Sequence, residues 1–241
     1  MIEVEGLEKR FGEVRAVRHV SFTAPDGQIT GLLGPNGAGK STTLRILATV
    51  LKPDAGTAKI DDIDVVRHPV EVRHRLGVLP HGAGLYPQLS GRENIRYYGR
   101  LAGLAGDDVE RRVEELTRLL DLGEFLDRRA KGYSQGQRTR IALARALVHE
   151  PANLILDEPS AGLDVMATRG LRTLLTDLRE RGICILFSSH VMQEVAAVCD
   201  RVVVIAHGRV VAAGTPDAVR RSMDTDDLEE AFVRAIARAP E

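Results

Sequence analysis

The segment 34–42 carries the residues whose chemistry is clearest. It reads GPNGAGKST and fits the pattern G-x-x-x-x-G-K-[ST]. Its glycines permit tight turns, so that backbone N–H groups can surround an anion. Lys40 would add a positive charge for the β- and γ-phosphates of a nucleotide, and the Ser41 hydroxyl is placed to ligate Mg²⁺. The pattern predicts a phosphate-binding loop whose nucleotide contacts are Gly34, Pro35, Asn36, Gly37, Ala38, Gly39, Lys40, Ser41 and Thr42.

The sequence on either side of this loop predicts the elements that position it. The apolar run 29–33 favours a strand, and residues 43–50 have helical spacing. A helix opening near Lys40 would aim the positive end of its dipole at the phosphates. A glycine-rich strand–helix turn with a chance Lys-Ser pair is the alternative, and the match at every fixed position disfavours it.

A second chemical segment, 153–164, reads NLILDEPSAGLD. The run 154–156 predicts a buried parallel strand, and ligands collect at the carboxyl ends of such strands. Asp157 would hold Mg²⁺ through its water shell, since Mg²⁺ prefers carboxylate and water oxygens. Glu158 would polarise the water that attacks the γ-phosphate. The alternative is a pair of solvated carboxylates that cap the following turn.

A third segment, 133–137, reads YSQGQ and precedes a predicted helix over 138–149. Ser134 occupies an N-cap position, and a helix start again suits a phosphate. The two anion-binding starts are too far apart in sequence to form one loop. If both serve ATP, the simplest arrangement is two chains that each supply one start. Alone, YSQGQ is explained better by a plain capped helix, but its position just before the LILDE strand reverses that preference.

These segments together resemble the ATP-binding cassette (ABC) family, whose signature is LSGGQ. Ser134, Gly136 and Gln137 match that signature, whereas Tyr133 and Gln135 do not. The resemblance implies that the three matching residues contact the nucleotide of a second cassette.

Further features follow in the family's order. Phe11 stands where an aromatic residue stacks on adenine, although a core phenylalanine is the alternative. Residues 160–164, SAGLD, resemble the D-loop that crosses the dimer interface. His190 follows the apolar strand 183–187 and two serines, and it matches the switch histidine that contacts the γ-phosphate. A surface histidine at a strand end is the other interpretation.

One position departs from the family. The Q-loop glutamine, which follows a short strand predicted at 76–79, is replaced by His81. Neutral imidazole is a poor partner for hard Mg²⁺. Either His81 acts through a water molecule, or the loop works mainly as a hinge, which Gly82 and Gly84 would favour.

The order of predicted elements indicates the fold class. Strands alternate with helices, which predicts a mostly parallel sheet. Segments 2–5, 14–23 and 57–60 are predicted strands without helical partners, so they indicate a small antiparallel sheet. Residues 91–126 are predicted helical, and the segment 108–120 places Val109, Val113, Leu116 and Leu120 on one face. The resemblance makes this region an inserted lobe. Further along the chain, 171–181 is a predicted amphipathic helix, 201–205 and 209–213 are predicted strands, and 226–238 is a predicted terminal helix. We therefore expect an α/β P-loop NTPase cassette with a mostly parallel central sheet, an antiparallel β-subdomain and a helical subdomain.

The same pattern sets the expected domain limits. One ATPase domain is predicted over 1–221, with its core at 1–85 and 151–221 and its helical subdomain at about 86–150. The charge pattern changes from Ser222, and 222–241 is predicted to be a helical tail.

Composition restricts the remaining possibilities. The net charge of −1 gives no global basic field for nucleic acid. No apolar run reaches eighteen residues, and the start MIEVEGLEKR does not resemble a signal peptide. Cys184 and Cys199 have neither metal-binding nor redox spacing, so core thiols in a reducing cytoplasm are expected.

The resemblance extends from Phe11 to about Val233. Segments such as GVLPHGAGLYPQLSGRENI, GLDVMATR and DLEEAFVR are similar to the ATPase subunits of NatA-like sodium exporters and their drug-exporting relatives. The resemblance implies an ATPase that uses ATP and Mg²⁺, pairs with a second, identical cassette, and drives a separate membrane permease from the cytoplasmic face of the membrane. Tyr86, Pro87 and Leu89 are the candidate permease contacts, with local packing as the alternative. No segment indicates a sodium site.

Other ABC classes fit less well. A chromosome or DNA-repair ATPase would carry a long coiled coil or a zinc hook inside the cassette, and the insertion here is too short. A ribosome-acting protein normally joins two cassettes in one chain, and one is present. A sensor that does not hydrolyse ATP would lack the base, whereas Glu158 is present.

Overall fold

The computed structural model describes residues 1–82 and 84–238. Its strands are β1 (Ile2–Phe11), β2 (Val14–Ala24), β3 (Ile29–Leu33), β4 (Ala55–Ile60), β5 (Ile63–Asp64), β6 (Leu76–Leu79), β7 (Asn153–Asp157), β8 (Cys184–Ser189), β9 (Arg201–Ala206) and β10 (Arg209–Gly214). Its helices are α1 (Lys40–Leu47), α2 (Pro69–Arg75), α3 (Gly91–Leu101), α4 (Gly106–Leu119), α5 (Gln135–Leu147), α6 (Val165–Glu180), α7 (Met192–Val198), α8 (Pro216–Ser222) and α9 (Leu228–Ala237), with a 3₁₀ turn at Ala130–Gly132.

The central sheet has the strand order β10-β9-β3-β8-β7-β6. All its neighbours pair in parallel except β9 and β10, which form an antiparallel hairpin. Every residue of β3 and β7 is buried, because helices and the second sheet cover both faces. The predicted mostly parallel sheet is confirmed. It brings the carboxyl ends of β3, β8 and β7 side by side.

The second sheet is antiparallel, as predicted, in the order β2-β1-β4-β5. Apolar side chains of β1 such as Ile2 and Leu7 pack in one core cluster with Leu44 and Leu47 of α1. The helix that follows the predicted phosphate loop is therefore held against both sheets. β1 continues to Phe11, well beyond the predicted strand 2–5, because it pairs with β2 along its length.

The helical region consists mainly of α3, α4 and α5. The face of α4 predicted from its spacing is buried, with Val109, Val113 and Leu116 at most 1% exposed. The predicted helical stretch 91–126 is two helices, separated by a turn in which Gly103 has φ +90°. Arg112 donates from Nε to the carbonyl of Val148 and from Nη2 to that of Leu147, which ties α4 to the end of α5.

The C-terminal part continues the core. The predicted strands 201–205 and 209–213 are β9 and β10, and the predicted helix 226–238 is α9, which ends at Ala237. Leu228, Ala231 and Ala235 of α9 are buried in the same cluster as the central sheet. The division into an ATPase domain over 1–221, with its helical subdomain, and a tail over 222–241 stays a prediction.

Tyr133, which departs from the family signature, is a structural residue of the helical region. It is buried, and its hydroxyl accepts a hydrogen bond from the Gly91 backbone N–H at 2.9 Å. The same hydroxyl lies 2.7 Å from the carbonyl oxygen of Phe125 and 2.9 Å from that of Arg128. The start of α3 is thus joined to the segment before α5.

We predict that Tyr133→Phe lowers the free energy of unfolding by about 1–3 kcal/mol, because the buried Gly91 N–H loses its acceptor and the neighbouring carbonyls lose their one shared donor. Urea denaturation followed by circular dichroism measures the change. Tyr97→Phe is the matched control, since Tyr97 is 41% exposed. Equal stabilities of the two variants would contradict the assignment.

Candidate functional site

The phosphate loop is shaped by glycines at points where no side chain fits. A Cβ at Gly39, whose φ is +106°, would lie 2.4 Å from the carbonyl oxygen of Ala16. A Cβ at Gly34 would lie 2.2 Å from the carbonyl oxygen of Ile205. The loop therefore passes tightly between β2 and β9 before α1 begins at Lys40. This brings residues 34–42 to the carboxyl edge of the central sheet, as the sequence predicts.

Lys40 is held inside this loop. Its side chain is buried, and Nζ donates to the carbonyl of Gly34 at 2.6 Å and to that of Pro35 at 3.1 Å. Burial lowers the pKa of Lys40, and the charges of Glu158 and Asp157 oppose that change. A phosphate anion bound in the loop would compensate the desolvated ammonium, so the site is electrostatically suited to a nucleotide.

The two predicted metal ligands lie together. Ser41 Oγ is 3.5 Å from Asp157 Oδ1, although the residues are far apart in sequence. Asp157 is buried and also accepts a hydrogen bond from Ser188 Oγ at 2.6 Å. One carboxylate and one hydroxyl oxygen, completed by water and phosphate oxygens, are the donors that Mg²⁺ prefers. The residues present therefore fit a magnesium ion.

Ser188 at the end of β8 also fixes the backbone at Glu158, a role that the sequence did not reveal. Glu158 has φ +51°, a strained value for a residue with a side chain. Its N–H donates to the Ser188 carbonyl at 3.2 Å and to Ser188 Oγ at 3.0 Å. One serine thus holds both residues of the Asp-Glu pair.

The carboxylate of Glu158 lies between two histidines. Oε1 is 3.4 Å from Nδ1 of His190, and Oε2 is 3.7 Å from Nδ1 of His81. The Glu158 side chain is 19% exposed, whereas both imidazoles are more than half exposed. A carboxylate in this position can orient a water molecule and accept its proton. His81, the residue that replaces the Q-loop glutamine, therefore directly adjoins the predicted base.

Phe11 is not a core residue, since 47% of it is exposed at the end of β1. The hairpin that follows it leads into β2, whose Ala16 adjoins the phosphate loop at Gly39. Hydrogen bonds from Arg18 N to the Gly208 carbonyl and from Gly208 N to the Ala38 carbonyl fix this neighbourhood. Phe11 is therefore an exposed aromatic residue on the hairpin that leads to the loop, and its stacking on adenine stays a prediction.

The signature residues form a separate helix start. Ser134 is the N-cap of α5, as predicted. Its Oγ accepts from the Gln137 N–H at 3.2 Å, and its own N–H donates to the Gln137 side chain at 3.0 Å. Across residues 1–82 and 84–238, no hydrogen bond joins Ser134, Gly136 or Gln137 to loop 34–42. The two predicted anion sites are thus separate helix starts in the described chain, one at Lys40 of α1 and one at Gln135 of α5.

Comparison with known proteins agrees with this fold and site. The family model described as "ABC transporter" matches residues 17–161. The chain is 39% identical over 243 residues to the ABC transporter ATP-binding protein NatA of Bacillus subtilis, covering 99% of both chains. It is also 39% identical to the daunorubicin/doxorubicin resistance ATP-binding protein DrrA of Streptomyces peucetius, covering 99% of this chain and 72% of that one. The chain belongs to the ABC transporter family.

A solved structure supports the same conclusion. An ATP-binding cassette in a dimeric post-hydrolysis state with bound ADP and Pi superposes with a TM-score of 0.81 at 25% identity. The match covers 89% of this chain and 98% of that one. The protein is the ATP-binding subunit of an ABC transporter, and it is an ATPase.

The contact between His81 and Glu158 generates a test of the two Q-loop interpretations. If His81 positions water or Glu158, His81→Gln should keep or raise the hydrolysis rate, and His81→Ala should lower it. The reason is that glutamine retains a hydrogen-bond donor and an acceptor at this position, whereas alanine has neither. Steady-state ATPase assays measure both rates.

His74→Gln is the control, because His74 is an exposed residue of α2. Matching hydrolysis rates for the wild type and both His81 variants would exclude a direct role for His81. A hinge role alone would then remain.

Proposed function

We propose that this chain is the ATP-hydrolysing subunit of an exporter that works as a dimer around two ATP molecules. The observation that carries the proposal is the convergence of Lys40, Asp157 and Glu158 at the carboxyl ends of β3 and β7, the two strands that flank β8. A buried cation, a metal-ligand carboxylate and a candidate base there match the requirements of phosphoryl transfer to water.

Hydrolysis follows from the placement of these groups. Phe11 stacks on the adenine, and Gly34, Pro35, Asn36, Gly37, Ala38, Gly39, Lys40, Ser41 and Thr42 enclose the phosphates with amides and one ammonium. Glu158 orients the attacking water and accepts its proton. His190, whose Nδ1 lies 3.4 Å from Glu158 Oε1, contacts the γ-phosphate.

Ser41 and Asp157 would hold a Mg²⁺ ion. Ser41 Oγ and Asp157 Oδ1 are 3.5 Å apart, and Ser41 belongs to the phosphate loop. When bound, the ion would neutralise negative charge on the phosphates.

A second copy of the chain completes each site. Ser134, Gly136 and Gln137 lie at a capped helix start that is not bonded to its own phosphate loop. A helix start of this kind favours an anion, so the γ-phosphate held by a partner is a suitable occupant. The related cassette solved as a dimer with ADP and Pi supports such pairing. Closure of the dimer would exclude bulk water, leave the attacking water beside Glu158, and complete the site for hydrolysis.

The permease partner docks beside the Q-loop. A groove of about 310 Å³ opens there between β6 and helices α3 and α5, with Leu79, Tyr98 and Leu101 in its lining. Tyr86 is 45% exposed, although it packs edge-on against Tyr97 with ring centroids 5.2 Å apart. Pro87 is exposed and Leu89 is half-buried, so Tyr86 and Pro87 are the stronger contact candidates. Within the described residues, no helix is long and apolar enough to cross a membrane.

The cargo is exported, and the subunit acts at the cytoplasmic face of the membrane, where ATP is available. The similarity to a daunorubicin/doxorubicin resistance protein supports export of a drug-like molecule. A sodium ion is the other cargo that the resemblance described above implies. The permease, not this chain, selects between them. Nucleic acid is not a partner, in line with the net charge of −1.

Glu158→Gln should leave ATP binding intact and reduce turnover by roughly 10²–10⁴, the range for a positioned acid–base group. Phosphate release measures turnover, and size-exclusion chromatography with ATP should reveal a trapped dimer. Glu180→Gln, an exposed change on α6, is the control. Unchanged hydrolysis in Glu158→Gln would mean that the base lies elsewhere.

A mixing experiment tests the shared site. Ser134→Arg should bind ATP as a monomer but not hydrolyse it, and Lys40→Ala should lose ATP binding. A mixed dimer joins one intact phosphate loop to one intact Ser134, so mixing should restore hydrolysis in one site. The control is Ser222→Arg, an exposed change outside both segments, which should behave as wild type.

Two results would overturn the shared-site arrangement. One is loss of ATP affinity in the Ser134→Arg monomer, measured by fluorescent-nucleotide titration. The other is a mixture no more active than its separate components.

A further inference from the structure

Glu194 joins the two loops that carry Glu158 and His190. Its Oε2 atom accepts a hydrogen bond from Ser160 Oγ at 2.5 Å and another from Ser189 Oγ at 3.2 Å. Ser160 lies two residues after Glu158, and Ser189 directly precedes His190. One carboxylate oxygen therefore connects the turn after β7 to the end of β8.

Glu194 belongs to a helix that packs into the core. Glu194 is in the first turn of α7 and is half-buried, and its neighbours Met192 and Val195 are buried in the main core cluster. Ser189 Oγ also accepts a hydrogen bond from the Val191 N–H at 3.0 Å, which fixes the direction of its own proton toward Glu194. Hydrogen bonds to a carboxylate are stronger than those between neutral groups.

We propose that Glu194 is a positioning residue for hydrolysis: it sets the distance between Glu158 and His190 by holding Ser160 and Ser189. This inference rests on the proposed function, because it presumes that both groups act on ATP. Without Glu194, each loop could shift on its own, and a misplacement of about 1 Å near reacting groups costs on the order of 10²-fold in rate. Ser160 also opens the 160–164 segment, so the same bonds connect the predicted dimer contact to His190.

The prediction separates rate from binding. Glu194→Ala should lower kcat by about ten- to a hundredfold, while the KM for ATP stays within about twofold of wild type, because Glu194 contacts neither the phosphate loop nor Phe11. Glu194→Gln keeps an acceptor oxygen in the same place and should restore kcat to within about threefold of wild type. Gln193→Ala, an exposed change on the same helix, is the matched control and should leave kcat unchanged.

A double-mutant cycle identifies the connection. Ser160→Ala and Ser189→Ala should each lower kcat in the wild-type background. Each should have little further effect in Glu194→Ala, because the shared bond is already lost. Thermal unfolding of every variant distinguishes this from loss of folded protein.

The inference is overturned if Glu194→Ala matches Gln193→Ala in kcat, or if the serine and glutamate effects on kcat multiply independently. It is also overturned if kcat falls only together with the melting temperature and Glu194→Gln does not restore it. Failure of the proposed function would look different: Glu158→Gln would then hydrolyse ATP at the wild-type rate. A slow Glu158→Gln with a fully active Glu194→Ala rejects only the role of Glu194.

Discussion

Parallel pairing of β8 with both β3 and β7 is the constraint on which the site depends. In that register Leu33 of β3 lies beside Ser189, and Asp157 of β7 lies beside Ser188. Because parallel strands end at the same edge, the phosphate loop, the Asp-Glu pair and the segment with His190 emerge next to one another. Backbone hydrogen bonds buried in the sheet thus set the distances from the phosphate loop to the Asp-Glu pair and to His190, which follow it by more than a hundred residues. Movement of any one strand would separate them.

The serines at the end of β8 hydrogen-bond to side chains and backbone of the adjoining segments and so hold them in place. Ser188 bonds to Asp157 and to the Glu158 backbone, while Ser189 bonds to Glu194. Both serines are buried, so each unmade hydrogen bond there would be costly. Their short side chains reach only immediate neighbours. A strained residue such as Glu158, with φ +51°, can persist because several bonds determine its position.

Sequence patterns predicted the elements whose signal is local. The bounds of β3 and β6 match their apolar runs, and the helical spacing of α4 identified its buried face. The two-residue β5 and the short helices α2 and α8 give too few periods to be recognised, and they were not predicted. Likewise, α6 begins at Val165, before the predicted helix 171–181, because its first turn is exposed and depends on the Asp164 cap.

The candidate site divides in the same way. The glycines of the phosphate loop, Lys40, Asp157 and Glu158 can be recognised in the sequence by residue type and spacing. Ser188 and Glu194 do not, because serine and glutamate are common and their roles depend on which strands become neighbours. The closeness of His81 to Glu158 likewise requires knowing that β6 pairs with β7. The sequence therefore predicts candidate residues for the chemistry, but not the residues that hold these candidates in place.

The exposed start of α5, at Ser134 and Gln135, has a consequence for the control of ATPase activity. If the start of α5 in each cassette contacts the nucleotide of another chain, the ATPase activity of the free subunit depends on dimerisation. Dilution then lowers the specific activity without any inhibitor. Two cassettes anchored on one permease would instead meet at an effective concentration in the millimolar range, as short tethers produce. Assembly with the membrane partner would then switch on hydrolysis. A subunit without its permease would hydrolyse little ATP, and the complete transporter would hydrolyse it at full rate.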